Sequence, residues 1–262
     1  MNRCYLFILL LSFFMTGSTL QFNNPIIIAV IDSGLDRNRL DLHNNIIKPV
    51  NLINIDEYPN DETGHGTIVT SLIASKDPSF RIMPIKVTSK FKSTDIEMLA
   101  QAIITAVQSG ADVINISLGS LATNSKLEDA VNTAKQEGVP IIASSGNDNF
   151  VDKLRFPAEY SDVIAVGAVD KNGKLVTNSN VGEKIDFVCL GKDIWVKGLN
   201  GRPATMVSGT SVAAPLVTLQ VARILQQNTN ISFENIIIKL KKEKSVEITG
   251  NNMNFFMITD EL

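Results

Sequence analysis

Apolar residues along this chain come in short continuous runs, and each run ends at a turn. The first is PIIIAVIDSG, where the apolar stretch from Ile26 to Ile31 is followed by Asp32 and a turn. A run of this kind predicts a strand that is buried on both faces. Five further runs have the same character: RIMPIKV, ADVINISLG, VPIIASSG, DVIAVGAV and KIDFVCLG.

Helical patterns lie between these runs. Thr94 and Glu97 have capping-box spacing and predict a helix through about Val107, with Ile96, Leu99 and Ile103 on its buried face. Ser125 and Glu128 repeat the signal before a helix that ends at Gly138. Further helices are expected to start near three residues: His65, Ser211 and Ser232. Alternating strands and helices predict a three-layer α/β fold, a mostly parallel twisted sheet with helices on both faces.

Composition adds bounds on size and partners. The 262 residues suit one globular domain, with 44% hydrophobic and 19% charged residues. The net charge of −3 gives no reason to expect nucleic acid as a partner. A monomer is expected.

The first twenty residues have the pattern of a secretory signal. Arg3 precedes the apolar stretch Leu6–Met15, and the small-residue sequence TGST follows. This stretch is shorter than the about 20 residues that span a bilayer, so stable membrane insertion is not expected, although an uncleaved signal anchor remains an alternative. Cleavage between Gly17 and Gln21 would leave residues 21–262 as a single extracytoplasmic domain. Cys4 would leave with the signal, and Cys189 is expected to be a buried apolar residue.

Polar side chains capable of chemistry follow the predicted strands or begin the predicted helices. Asp32 ends the first strand, His65 lies between two glycines, Asn147 follows the strand VPIIASS, and Ser211 stands in SGTS. Each signal is weak when taken alone. Because parallel sheets carry their active sites at the carboxyl ends of the strands, these side chains are expected to face the same side.

The four groups fit one reaction. A serine hydroxyl becomes a good nucleophile when a base takes its proton, and imidazole titrates near neutrality. A buried carboxylate would orient that imidazole, and the Asn147 amide with the Ser211 backbone N–H would bind an oxyanion. Both histidines, His43 and His65, precede Ser211, whereas an α/β-hydrolase needs a histidine after its nucleophile. His43 lies in a polar segment and is expected at the surface.

Four motifs give the chain a family resemblance: VIDSG, GHGT, SSGN and SGTSVAAP, in that order. Together they resemble the subtilisin family (subtilases) of serine endopeptidases. The resemblance implies a subtilisin-like fold and a polypeptide substrate cleaved through an acyl-enzyme. It makes Ser211 the nucleophile, His65 the general base, Asp32 its partner and Asn147 the oxyanion donor. It also implies two substrate-binding segments, which are Ser117, Leu118 and Gly119 in one and Ser144, Ser145 and Gly146 in the other.

Two departures from the family pattern bear on folding and on calcium binding. Only a short stretch separates the expected signal cleavage from Asp32, so no propeptide is recognisable. The loop over residues 75–84 offers one carboxylate, Asp77, whereas calcium takes six to eight oxygen ligands. No cofactor and no tight calcium site at this loop are therefore expected, and weaker calcium sites stay open. A catalytically impaired relative that binds peptides without cutting them is the alternative function.

Overall fold

The computed structural model describes residues 24–91, 94–198, 203–250 and 253–259. The expected signal over residues 1–20 lies outside the described residues, as does Cys4. The strands are β1 Ile27–Asp32, β2 Val50–Asn51, β3 Arg81–Lys86, β4 Val113–Ile116, β5 Ile141–Ser144, β6 Val163–Val169, β7 Phe187–Leu190, β8 Ile194–Val196, β9 Thr205–Val207, β10 Ser245–Gly250 and β11 Met253–Ile258. The helices are α1 His65–Lys76, α2 Ile96–Gln108, α3 Ser125–Gln136, α4 Thr210–Gln227 and α5 Phe233–Lys239.

Nine of the described strands form one sheet, in the order β10-β11-β7-β6-β5-β4-β1-β3-β2. Neighbouring strands from β11 to β2 run parallel, and β10 pairs antiparallel with β11. The strand β1 lies third from the β2 edge of the sheet, between β3 and β4. The carboxyl ends of β1, β4 and β5 therefore meet at one edge of the sheet, as the parallel arrangement requires.

Helices cover both faces of this sheet, which confirms the predicted α/β fold. Alternate residues of β1 enter different apolar cores, with Ile28 and Val30 packing on the α1 and α4 side. Ala29 and Ile31 of the same strand pack on the α2 and α3 side. This two-sided burial explains why the strand sequence is continuously apolar instead of alternating.

The capping residues of α2 and α3 each differ by one position from the sequence prediction. Asp95, not Thr94, caps α2 by accepting a hydrogen bond from the Met98 N–H. Asn124, not Ser125, caps α3 in the same way. Carboxylate and amide side chains are as favourable at the cap position as hydroxyl side chains. The predicted capping box also required Glu97 to bond the backbone at the start of α2, but Glu97 accepts a hydrogen bond from Lys126 of α3.

The structure agrees with the sequence prediction at Ser232, Cys189 and His43, and it contains strands that were not predicted. The helix α5 starts directly after Ser232 as expected, and the Ser232 side chain caps it. Cys189 lies fully buried in β7, also as expected, and burial raises the pKa of its thiol to about 12. His43 is exposed, also as expected. The antiparallel hairpin of β8 and β9 and the strand β10 were not predicted. Within the described ranges, no helix is both long and apolar enough to cross a membrane.

Candidate active site

Asp32 and His65 form a hydrogen-bonded pair at the carboxyl end of β1. His65 Nδ1 lies 2.7 Å from Asp32 Oδ1, which also accepts a hydrogen bond from the Ser33 N–H at 2.7 Å. Asp32 is 1% exposed, and its Oδ2 has no hydrogen-bond partner among the described residues. A buried carboxylate on Nδ1 fixes which ring nitrogen carries the proton, and this leaves Nε2 to act as a base.

The close approach of α1 to β1 depends on Gly66. A Cβ atom at this position would lie 2.4 Å from the Gly34 carbonyl oxygen and 3.1 Å from the Cβ of Asp32. Any side chain here would push the first turn of α1 away from β1. The glycine after His65 therefore allows the imidazole to reach Asp32.

The carboxylate of Asp32 sets the electrostatics of the imidazole. Its negative charge raises the pKa of His65 from 6.5 to about 9. Burial acts in the opposite direction, whereas the hydrogen bond to Asp32 and the charge of Asp61 raise the pKa further. The ring is therefore readily protonated, as an imidazole that receives a serine proton must be.

A second buried carboxylate, Asp61, holds the start of α1. Its Oδ1 accepts the Gly64 N–H at 2.7 Å, and its Oδ2 accepts the Thr67 N–H at 2.9 Å. It also receives the Ser33 hydroxyl, whose oxygen in turn accepts the Gly66 N–H at 2.9 Å. Since Gly64 brings no side-chain cap, Asp61 and Ser33 supply the cap from outside the helix.

These hydrogen bonds also govern the ionisation of Asp61. Burial favours its neutral form, but the hydrogen bonds from Thr67, Gly64 and Ser33 outweigh burial and hold the pKa of Asp61 below its ordinary value. The sequence reasoning missed this residue. The sequence feature that could have revealed Asp61 is its place four positions before His65, in DETGH, where the predicted helix start has glycine and no capping side chain directly before it.

Asn147 performs the corresponding task at the start of α4, the helix that carries Ser211. Its Oδ1 accepts hydrogen bonds from the Thr210 N–H at 2.9 Å and the Thr210 hydroxyl at 3.2 Å. The helix brings no side-chain cap of its own, because Gly209 occupies the cap position. Asn147 is exposed, and with Oδ1 engaged, its Nδ2 remains available as a donor to a bound substrate.

Gly209 allows this contact between Asn147 and α4. Its φ of 142° lies outside the range that side chains favour. A Cβ atom there would stand 3.1 Å from Asn147 Nδ2 and 3.3 Å from Oδ1. The glycine ahead of Thr210 and Ser211 thus lets the amide lie directly against the helix start.

Ser117 satisfies a carbonyl that Pro215 leaves without a partner. Pro215 lies inside α4 and has no N–H to give to the carbonyl of Ser211 four residues earlier. The hydroxyl of Ser117 donates to that carbonyl at 2.9 Å. Asn115 Nδ2 donates to the same Ser117 oxygen at 3.0 Å, and Thr218 donates to Asn115 Oδ1 at 2.9 Å. A buried polar chain therefore ties α4 to the end of β4.

The two expected substrate-binding segments follow β4 and β5. Leu118 and Gly119 are half-buried, whereas the side chain of Ser117 is engaged with α4. Ser144, Ser145 and Gly146 are buried, and the Ser145 hydroxyl donates to the Asn180 carbonyl at 3.0 Å. Any contact of these segments with substrate would therefore involve mainly their backbone.

The structure joins two of the expected catalytic groups directly and brings the others to the same edge of the sheet. The starts of α1 and α4 both lie there, since α1 contacts the end of β1 and α4 contacts residues just after β4 and β5. Among the described residues, the Ser211 hydroxyl makes no hydrogen bond to the His65 ring. Catalytic hydrogen bonds are commonly long in the absence of substrate, so this geometry is compatible with a serine nucleophile.

The one carboxylate of the 75–84 loop is engaged with its own neighbours. Asp77 Oδ1 accepts hydrogen bonds from the N–H and hydroxyl of Ser79. Its Oδ2 lies 3.5 Å from Arg223 Nε of α4. An oxygen already paired with a guanidinium is a poor start for a calcium site.

Comparisons with known proteins match most of this chain. A family model described as the subtilase family matches residues 23–251. A thermophilic serine proteinase from Bacillus sp. (strain AK1) is 36% identical over 239 residues, covering 87% of this chain and 58% of that protein. The minor extracellular protease Epr from Bacillus subtilis (strain 168) is 34% identical over 210 residues, covering 77% of this chain and 32% of that protein.

A solved structure shares the fold. The crystal structure of a cold adapted subtilisin-like serine proteinase superposes with a TM-score of 0.79 at 23% identity, over 90% of this chain and 89% of that one. The curated relatives are longer than this chain, which spans 58% and 32% of the two named above.

Proposed function

The chain belongs to the subtilase family, and from that premise we propose that it is a serine endopeptidase in which Asp32, His65 and Ser211 act together. The observation that carries the proposal is the 2.7 Å hydrogen bond between buried Asp32 and the His65 ring, at the same edge of the sheet as the helix start that bears Ser211. A carboxylate, an imidazole and a hydroxyl in this relation are the groups that acyl transfer requires.

The proposed reaction begins with proton transfer. His65 Nε2 takes the proton of the Ser211 hydroxyl as Oγ attacks the carbonyl carbon of the scissile peptide bond. Asp32 stabilises the imidazolium that forms, in keeping with the raised pKa of His65. The carbonyl oxygen becomes an oxyanion that accepts hydrogen bonds from Asn147 Nδ2 and from the Ser211 N–H, which has no intrahelical acceptor in the first turn of α4.

The reaction then proceeds in two steps, formation of the acyl-enzyme and its hydrolysis. The imidazolium gives its proton to the leaving amine, the C–N bond breaks and the acyl group stays on Ser211. Water, deprotonated by His65, attacks the ester, and the proton returns to Ser211 as the carboxylic product leaves. The proposed substrate is a polypeptide, and no redox partner or metal is needed for the bonds to balance.

We also propose that residues 1–20 direct export and that residues 21–262 form a single monomeric peptidase domain. The charged start and the apolar stretch of residues 1–20 support export. Sequencing the amino terminus of protein recovered outside the cytoplasm tests this. A new terminus between Gly17 and Gln21 is expected, and an intact terminus in the membrane fraction would instead indicate an anchor.

Labelling with a fluorophosphonate tests the peptidase proposal. The folded wild-type protein should gain one phosphonyl group on Ser211, as located by peptide mass mapping, and the Ser211→Ala variant should gain none. Hydrolysis of a denatured protein substrate should disappear in the same variant. Folded wild-type protein that binds peptides but neither labels nor cuts them would refute the proposal and favour the impaired, binding-only alternative.

A further inference from the structure

We propose that an ion pair between Arg155 and Asp148 fills the pocket for the substrate side chain that precedes the cut, so that the enzyme favours a small uncharged residue there. The inference rests on the proposed peptidase function and names the substrate class of that same site. It concerns residues that follow the second substrate-binding segment and that the motifs do not mark.

Arg155 bridges the two segments expected to border the substrate. Its backbone N–H donates to the Ser145 carbonyl at 3.0 Å, which fixes the residue beside the second segment. Its Nη1 donates to the Gly119 carbonyl of the first segment at 3.3 Å. The arginine side chain therefore crosses from one wall of the expected cleft to the other.

The aliphatic stem of Arg155 is packed against both glycines. A Cβ atom on Gly119 would lie 2.9 Å from the Cβ of Arg155. A Cβ atom on Gly146 would lie 3.1 Å from the Cγ and from the Cδ of Arg155. Space beside these glycines, which a substrate side chain could otherwise enter, is thus taken by the arginine.

The arginine is held in place by a two-pronged contact with Asp148. Nε lies 2.6 Å from Oδ2, and Nη2 lies 2.6 Å from Oδ1. Asp148 is itself fixed by the fully buried Asn180, whose Nδ2 donates to Oδ2 at 3.2 Å and whose Oδ1 accepts the Asp148 N–H at 2.8 Å. A bidentate pair with such support holds its geometry better than a simple surface ion pair.

This arrangement discriminates among substrate residues by charge and size. A charged residue, acidic or basic, would have to compete with Asp148 or Arg155 for a partner that is already engaged on two hydrogen bonds. A large apolar residue would have to displace an arginine from its bidentate partner without offering a replacement hydrogen bond. A small uncharged side chain needs none of these rearrangements.

The wild-type protein provides the first test. Peptides that differ only in the residue before the cut (alanine, phenylalanine, lysine or glutamate) are compared by kcat/KM. The alanine peptide should be preferred to each of the others by about 10-fold or more, the scale on which pockets discriminate size. Equal or better cleavage of the phenylalanine peptide would overturn the inference.

Two variants then separate the space that Arg155 fills from the charge that it neutralises. Arg155→Ala should open the pocket and leave Asp148 without its cationic partner, so the lysine peptide should gain about 10-fold relative to the alanine peptide. Arg155→Ala combined with Asp148→Asn should favour the phenylalanine peptide instead. An unchanged preference in both variants would contradict the inference.

Lys135→Ala is the matched control. It removes the ion pair between Lys135, in the last turn of α3, and Asp162, directly before β6, away from the expected cleft. It should leave the preference as in the wild type. Fluorophosphonate labelling of each preparation separates the two proposals. Wild-type protein that neither labels nor cuts overturns the peptidase function and this inference with it. Labelled, active protein with the wrong preference overturns only the inference.

Discussion

Asn147 uses the two ends of one side chain for two tasks. Its Oδ1 caps α4 through Thr210, and this contact leaves Nδ2 as the proposed oxyanion donor. The sequence motif SSGN indicated the donor, but the capping contact depends on α4 lying beside the residue and so was visible only in the structure.

Replacing Asn147 by Asp separates these tasks. The variant keeps the acceptor for Thr210 and loses the donor, so kcat should fall by about 10²–10³ with little change in KM. Asn172→Asp, which makes the same change at an exposed position, should have wild-type kinetics. A kcat for Asn147→Asp close to that of the wild type would show that Asn147 does not bind the oxyanion.

The pH dependence of the reaction is a second prediction at the residue scale. An imidazolium cannot accept a proton, and Asp32 raises the pKa of His65 to about 9, so kcat/KM should rise with pH up to about 9.

Replacing Asp32 by Asn removes the charge that favours the imidazolium. The midpoint should then move down toward 6.5, while kcat falls by about 10⁴. A midpoint that stays in place in Asp32→Asn would contradict the assigned cause.

At the scale of elements, the sequence determined the helices and central strands better than their ends. Periodic apolar residues such as Leu99 and Ile103 define the buried face of α2 whatever residue caps it. The cap depends on a local competition in which Asp95 prevails over Thr94. The hairpin of β8 and β9 has short strands with exposed residues, Trp195 and Met206, so its pattern carried little signal.

The Ser117 contact with α4 gives a prediction at this scale. Ser117→Ala should lower the free energy of unfolding by about 1–3 kcal/mol, because the Ser211 carbonyl loses its donor. Pro215→Ala restores an N–H that can form the missing helical hydrogen bond. The cost of Ser117→Ala should therefore shrink in the Pro215→Ala background, as urea denaturation of all four proteins would measure. Strictly additive effects would mean that the two residues do not share this carbonyl.

For the whole molecule, stability is expected to be independent of calcium at the 75–84 loop. Asp77, the one carboxylate there, is engaged by Ser79 and by Arg223. Any change in melting temperature that a calcium chelator causes should be the same in Asp77→Asn as in the wild type, to within about 1 °C, because removing a ligand destabilises a protein only through a site that binds it. A fall of several degrees that calcium reverses and that Asp77→Asn abolishes would contradict this expectation.

The sequence also indicated how the whole molecule brings the site together. The places of Asp32, His65 and Ser211 at a strand end and at two helix starts, in a parallel sheet, predicted that their elements meet at one edge. Contacts made through space by residues outside the motifs were not predictable. Asp61 acts through the cap of α1, and Arg155 reaches Asp148 and Gly119 only because the chain folds back beside β5.

A comparison of single and double variants tests most directly whether His65 and Ser211 work as one unit. Hydrolysis of one chromogenic peptide is measured for the wild type, His65→Ala, Ser211→Ala and the double variant, with labelling to confirm the absence of wild-type contamination. Each single change should lower kcat on the order of 10⁶-fold, and the double change should lower it no further. Losses that multiply in the double variant, or a Ser211→Ala protein that retains most of its activity, would contradict the account.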